Sequence, residues 1–286
     1  MLEYIDINGY DGINPFWVSY LEKLGISDID SARKHSEKGG SNYVLKKSTR
    51  NDTEHLRSLL YLINNGLLDE YIEMIRKLRV VSTYNNARYF YQFDCLRKLM
   101  REHISADLSI IEIGPAGGIL GLMLMKQLPV ARYYFVDLPQ MLPLSLFTIE
   151  KYARKRTCLL FDGDTCHVEN NSVVFVPAQN FDKITDNSCN VAINTFSFQE
   201  MDKNIRDGYI GGLYNILEPH SLFFNINVEK RWMTMVDGSS YKNMPDDYPY
   251  SADSKVVCHV EDPFHGYVVG NRYKRCIKHA EITGVK

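Results

Sequence analysis

At 286 residues, 45% hydrophobic and 24% charged, the chain can bury a sizeable core as one large domain or as a core domain with an addition. A formal net charge of −2 supplies no global field for a polyanion, which argues against nucleic acid as a general partner. No run approaches the ~20 apolar residues of a membrane span, and the opening Met1-Leu2-Glu3-Tyr4-Ile5-Asp6 lacks the basic start and apolar stretch of a secretory signal, so a soluble, cytoplasmic protein is expected.

The first forty-odd residues read as irregular, broken by Gly9, Gly12, Pro15 and Gly39-Gly40-Ser41. From Asn51 the pattern turns helical: Leu56, Leu59, Leu60 and Ile63 recur at three- and four-residue spacing, with Asp52 or Thr53 placed to cap the start. Ile72, Ile75 and Leu78 continue in this style, and an aromatic helix follows with Tyr89, Phe90, Tyr91 and Phe93 leading to Leu96, Leu99 and Met100. Residues 1–104 therefore read as a helical N-terminal region, either a lid over an acceptor or a homodimerisation surface. Tyr84, Arg88, Tyr89 and Tyr91 are its candidate aromatic and cationic contacts to a substrate.

After residue 105 the character changes to alternating strand and helix. Strands are expected at 109–113, 132–136, 173–176, 190–194 and 222–228, with helices at 118–127, 140–154 and 203–217. Such alternation predicts an α/β, Rossmann-like fold, a mainly parallel sheet with helices on both faces. The tail reads as two more strands, 255–260 and 267–277, joined by a loop holding Pro263 and Gly266 and forming an antiparallel end to the sheet. Residues 237–254, rich in Gly, Pro, Tyr and Asp, read as a long loop over the ligand cleft. The six cysteines are scattered without C-x-x-C spacing and are read as free thiols, and no metal site is expected.

Four segments carry the chemistry. Ile110-Ile111-Glu112-Ile113-Gly114-Pro115-Ala116-Gly117-Gly118 is a strand that breaks into a small-residue turn before a helix, the arrangement that brings bare backbone close to a nucleotide-like ligand. A dinucleotide fold wants G-x-G-x-x-G, yet Ala116 and Ile119 occupy its second and third glycine positions. The short-chain dehydrogenase spacing fails at Leu120, and its Tyr-x-x-x-Lys is matched only by Tyr43 and Lys47, far upstream. Glu112, Gly114, Ala116 and Gly118 instead fit the E/D-x-G-x-G-x-G pattern of S-adenosylmethionine (SAM) sites with one Gly-to-Ala change. Asp137, followed by Leu138 and Pro139, sits where an acidic residue at the end of the second strand accepts from ribose hydroxyls, or where it would cap the next helix.

The third segment, 173–181, ends in Gln179 and Asn180, which could read an adenine edge or serve only as turn residues. The fourth, Asn194-Thr195-Phe196-Ser197-Phe198-Gln199-Glu200-Met201, follows the fourth strand, opposite the glycine turn. Asn194 and Phe196 are candidates for the cofactor side and Ser197 and Gln199 for the acceptor side, while both phenylalanines could equally plug the core.

Taken in order, E-I-G-x-x-x-G at 112–118, F-V-D-L-P at 135–139, N-x-F-S-F-Q-E-M at 194–201 and L-E-P-H-S-L-F-F-N-I-N at 217–227 resemble the sugar O-methyltransferases, SAM-dependent enzymes often associated with surface-polysaccharide synthesis. The resemblance spans about residues 85–228. It implies that 105–286 is a SAM-binding methyltransferase domain and that the acceptor is a sugar, nucleotide sugar or glycan. Glu112, Gly114, Pro115, Ala116, Gly118, Asp137 and Leu138 would then hold the cofactor. Plant-type O-methyltransferases share D-L-P but carry a catalytic histidine after the fourth strand, where this chain has Ser197-Phe198-Gln199-Glu200, so their mechanism does not transfer by position.

A sugar hydroxyl needs a base as its bond to carbon forms. His265 and His259 are the preferred candidates, with Glu261 or Asp262 to orient an imidazole on an exposed-looking turn, and Glu200 is the rival. Three other readings stand beside this one: an O-methyltransferase of another small molecule, a nicotinamide-dependent oxidoreductase, and a SAM-binding module without turnover.

Overall fold

The computed structural model describes residues 25–27, 29–35, 49–153, 156–161, 168–234, 240–269 and 276–282. Its helices are α1 (Ile29–His35), α2 (Thr49–Asn64), α3 (Leu68–Leu78), α4 (Tyr84–His103), α5 (Ile119–Gln127), α6 (Leu142–Tyr152), α7 (Lys203–Ile216) and α8 (Pro263–Val268). Its strands are β1 (Leu108–Ile113), β2 (Val130–Asp137), β3 (Thr157–Leu160), β4 (Ser172–Pro177), β5 (Cys189–Thr195), β6 (Leu217–Val228), β7 (Arg231–Thr234), β8 (Ser240–Asn243), β9 (Lys255–Glu261) and β10 (Cys276–Ile282).

One sheet carries the order β3-β4-β2-β1-β5-β6-β10-β9, while β7 and β8 pair apart from it. The six strands from β3 to β6 run parallel, and β10 is antiparallel to both of its neighbours. This is the expected Rossmann-like sheet with an antiparallel C-terminal strand and helices N-terminal to it. β1, β4 and β5 are near-continuous apolar runs because parallel strands are covered on both faces. Successive side chains alternate between those faces. Ile110, Tyr133, Phe135, Phe175 and Ile193 pack on one face with Leu62 of α2, Met74 of α3, and Phe90, Phe93 and Leu96 of α4. Ile111, Ile113, Val136, Val176 and Phe223 pack on the other with Ile210 and Leu213 of α7.

The register sets the site. Ile113 lies opposite Val136 on one side and Asn194 on the other, and Asp137 lies opposite Pro177. The carboxyl ends of β1, β2, β4 and β5 therefore share one edge, and the chain leaves β1 towards β2 on one side while β5 returns on the other. That reversal is the crevice where open α/β sheets bind ligands.

Gly121 lets α5 sit close to the sheet. A Cβ there would lie 2.6 Å from Phe135 Cζ and 2.8 Å from Tyr133 Cζ, both fully buried. Gly121→Ala gains up to ~1 kcal/mol of helix propensity but overpacks two rings at about 1–3 kcal/mol. A Tm lowered by a few degrees in thermal denaturation is the expected result; a raised Tm would show that the helix lifts without cost.

Several expectations need correction. Residues 267–277 are not a strand from Tyr267: Pro263–Val268 is helix α8 and β10 begins only at Cys276. Asp262 explains the helix, because its Oδ1 accepts the N–H groups of Phe264 (3.0 Å) and His265 (3.4 Å), with Pro263 at the first helical position. The stretch read as irregular contains α1, while Gly9, Gly12, Pro15, Gly39-Gly40-Ser41, Tyr43 and Lys47 lie outside the described residues. The described part of 237–254 is not a continuous loop, and it is tied to the segment after β5 by Tyr241 Oη on Met201 O (2.6 Å) and Asn243 Nδ2 on Phe198 O (3.0 Å). It contributes β8 and packs Tyr248 and Tyr250 against the α7 face. Leu56, Leu60 and Ile63 do lie on a helix, but that side of α2 is exposed and the buried phase is carried by Leu62. Cys95, Cys158, Cys189 and Cys258 are free thiols.

Candidate functional site

The turn after β1 holds Gly114, Ala116 and Gly118 in the left-handed region, at φ of 70°, 50° and 69°. Gly114 is required twice there. The positive φ strains any residue with a Cβ, and a Cβ there would collide with the side chain of Ser197; the Gly114 N–H donates to Val136 O (2.8 Å). Gly118 opens α5 and closes the turn on Pro115 O (2.9 Å), with only 3.0 Å between a built Cβ and Ser145 Cβ. Pro115 itself is buried. Ala116 bears the φ strain with the smallest side chain that has a Cβ, at a cost of order 1–2 kcal/mol.

Asp137 reaches across from the end of β2 to this turn. Its Oδ2 accepts the Ala116 N–H at 3.2 Å and its Oδ1 accepts the Leu138 N–H at 2.8 Å. It does not cap α6, whose N-cap is Met141. Leu138 packs with Met141 and Leu144 and carries the chain into that helix. Burial pushes the Asp137 carboxyl up to about 7, against the pull of the two N–H groups. Glu112, buried on β1, accepts from Tyr133 Oη at 2.7 Å. Burial likewise pushes Glu112 up to about 7; the Tyr133 hydroxyl works against that rise, and the charge of Asp137 adds to it.

The segment after β5 faces the turn. Asn194 Nδ2 donates to Ile113 O (3.1 Å) and to Ser197 Oγ, and Ser197 Oγ donates to the same carbonyl at 3.0 Å. Asn194 Oδ1 accepts from Asn227 Nδ2 at 3.0 Å, Asn227 Oδ1 accepts the Gln199 N–H at 3.0 Å, and Gln199 Oε1 accepts the Val228 N–H at 2.8 Å. Asn194 and Gln199 are thus buried members of a polar chain that ties the ends of β1, β5 and β6 together. Ser197 presses against Gly114 as part of that clamp. Asn180 likewise serves its own loop, donating to Phe161 O (3.5 Å) and accepting from Lys183 (3.1 Å), whereas Gln179 is exposed beyond the end of β4.

Phe196 stands in the left-handed region at φ 65°, an uncommon state for a bulky residue, with its N–H on Ile226 O (2.7 Å). This pose sets its ring 4.7 Å from the His265 ring and 5.2 Å from the Arg88 guanidinium. Arg88 also lies over Tyr89 at 4.9 Å and Tyr84 at 5.8 Å. α4 starts at Thr83, whose Oγ1 accepts the Asn86 N–H at 3.2 Å, and so presents Tyr84, Arg88 and Tyr89 to this wall.

His265 Nδ1 lies 2.9 Å from Asp262 Oδ2, and both side chains are almost completely buried, although Glu261, Pro263, Gly266 and Tyr267 around them are exposed, as expected for the turn. Of the two acidic neighbours, Asp262 rather than Glu261 holds the imidazole. Tyr61 and Tyr91 enclose this pair with Phe264, at ring distances of 5.2 and 5.0 Å from it. Burial, then the Asp262 charge, pushes Tyr61 up to about 12. Glu200 is engaged by Arg231 (2.9 Å); burial raises its carboxyl, and Arg231 and Arg88 oppose that rise. His259 is not brought to this place. It is exposed and lies 3.4 Å from Asp246, beside Tyr250 on the opposite face of the sheet.

Sequence reasoning left Asp262 open, did not single out Tyr133, and missed Arg231 and Asn227. The Asp-Pro pair before Phe264 was the available signal for the first. Among the described residues no group of His, Cys, Asp and Glu could hold a metal ion, and no helix is long and apolar enough to cross a membrane.

No protein-family profile matches the sequence, and no curated protein matches it. Solved structures similar in outline include a 1,6-didemethyltoxoflavin N1-methyltransferase of Burkholderia thailandensis with bound S-adenosylhomocysteine (13% identity, 76% of this chain and 90% of that one, TM-score 0.46). A SAM-dependent methyltransferase of Clostridium acetobutylicum is similar over 69% of this chain and 92% of its own (10% identity, TM-score 0.45). A magnesium protoporphyrin IX methyltransferase of Synechocystis, with bound SAM, is similar over 68% and 79% respectively (10% identity, TM-score 0.44).

Proposed function

We propose that the chain is a SAM-dependent O-methyltransferase acting on a hydroxyl of a sugar, nucleotide sugar or glycan. The observation that carries the reading is the pairing of a left-handed glycine turn with two carboxylates, the buried Glu112 and the half-buried Asp137, at the carboxyl ends of β1 and β2. Two acidic groups suit a ligand with an ammonium, a sulfonium and a ribose diol. They oppose a pyrophosphate at the same turn, since like charges this close disfavour each other's ionised form. This weighs against the nicotinamide reading.

In this assignment Asp137 accepts from the ribose hydroxyls, the Gly114–Gly118 backbone gives close approach, Glu112 receives the methionine ammonium, and Gln179 borders the adenine. When bound, SAM supplies a methyl group already activated by its positive sulfur. The chain's part is to orient the acceptor oxygen, exclude water and take up a proton. Asp262 holds Nδ1–H of His265, which leaves Nε2 with its lone pair to accept the hydroxyl proton. Phe196, Tyr84 and Tyr89 offer ring faces to a sugar, and Arg88 offers donors, so the helices of residues 1–104 would form the acceptor wall. A place in surface-polysaccharide synthesis rests on the sequence resemblance; a homodimer through the helices of residues 1–104 and a cytoplasmic location are compatible with this reading.

The test is methyl transfer from labelled SAM to a panel of nucleotide sugars. Label recovered as a methyl ether on a sugar is the expected outcome. Label on nitrogen or carbon of another acceptor class would retire the sugar reading, and SAM binding without transfer to any panel would favour the non-catalytic module.

A further inference from the structure

We infer that Tyr133 is a positioning residue for the cofactor: its hydroxyl aims the Glu112 carboxylate so that one oxygen faces the methionine ammonium. The inference rests on the SAM reading above. Tyr133 is a fully buried phenol on a central parallel strand, 4.5 Å in ring distance from Phe135, and its Oη donates to Glu112 Oε2 at 2.7 Å. A carboxylate and a phenol on the apolar face of a parallel sheet are costly where two apolar side chains would pack more cheaply. Breaks with a local rule of this kind concentrate at functional sites.

α5 is shaped around the pair. Gly121 stands where any Cβ would press on the Tyr133 ring at 2.8 Å, so the helix leaves room for a ring whose hydroxyl must reach β1. With Oε2 held by the phenol, Oε1 is the oxygen to offer a ligand.

The titratable groups acting on Glu112 are Tyr133 and Asp137, both from β2. On β5 its register partner is Ile193, and α4 and α5 cover this face with apolar Phe93, Leu96, Ile119 and Met123. The phenol bond favours the ionised carboxylate against burial and against Asp137, and its removal raises the proton affinity of Glu112.

The test is calorimetric titration with SAM across about pH 5.5–7.5 for wild type, Tyr133→Phe, Glu112→Gln and the double variant, with Tm as a folding control. Tyr133→Phe is expected to weaken SAM about tenfold at neutral pH and to move the midpoint of the pH dependence upward by about one unit. In the Glu112→Gln background the same change is expected to be nearly silent. An unmoved midpoint, or an equal loss in both backgrounds, overturns the inference while leaving the cofactor reading intact. Absence of SAM binding by the folded wild type overturns both.

Discussion

Replacing His265 with alanine is expected to lower methyl-transfer turnover by about 10²–10⁴-fold and to leave SAM affinity within about threefold. The imidazole stands beside Phe196 on the proposed acceptor wall, so in this assignment its loss removes a proton acceptor rather than a cofactor contact. Asp262→Asn is the companion variant. An asparagine oxygen can still cap α8, but the amide cannot both do so and accept from Nδ1, so the imidazole presents the wrong tautomer. A loss of the same order is therefore expected with α8 retained. Single-turnover rates and SAM titrations separate the two effects. Undiminished turnover in His265→Ala would pass the base role to Glu200, which would then have to leave Arg231.

The second large effect is on pH. Glu112 and Asp137 are raised from 4.5 and 3.8 to about 7 in the folded chain, mainly by burial. A carboxyl raised on folding contributes stability that is complete below its unfolded value and is lost as pH rises through the folded one. The ligand-free protein should therefore lose stability between about pH 4.5 and 7.5, by up to roughly 3 kcal/mol from Glu112. SAM binding runs the opposite way because its ammonium and ribose hydroxyls need the ionised forms. Affinity is expected to rise about tenfold per pH unit below 7 for each proton released, with the two carboxyls titrating as a coupled pair. Thermal denaturation and calorimetry over that window read both trends. A pH-independent affinity would contradict the placement of the cofactor over these groups.

The sheet was legible because fully buried parallel strands read as apolar runs at βα spacing, and the turn because glycines must stand where a Cβ collides. Short elements were not: β3, β7 and β8 have four residues each, too few to show a period. Polar residues at a strand end look alike in sequence whether they face a ligand or one another. Asn194 and Gln199 belong to the second kind, and only the positions of Asn227 and Val228 on β6 reveal it. The histidines are separated by the strand order and by parity. His259 sits on an edge strand with its side chain to the α7 face, while α8 folds His265 back against Phe196 and Phe264. The Asp-Pro cap that makes this helix reads equally as a turn until its N–H partners are seen.

The central claim is that the turn between β1 and α5 holds SAM. Calorimetric titration of the purified protein with SAM, S-adenosylhomocysteine and NAD at about pH 7.5 tests it most directly. Saturable binding of the first two, lost in Asp137→Ala, and none of NAD is the expected result. Binding of NAD in preference to SAM, or SAM binding that survives Asp137→Ala unchanged, would contradict it.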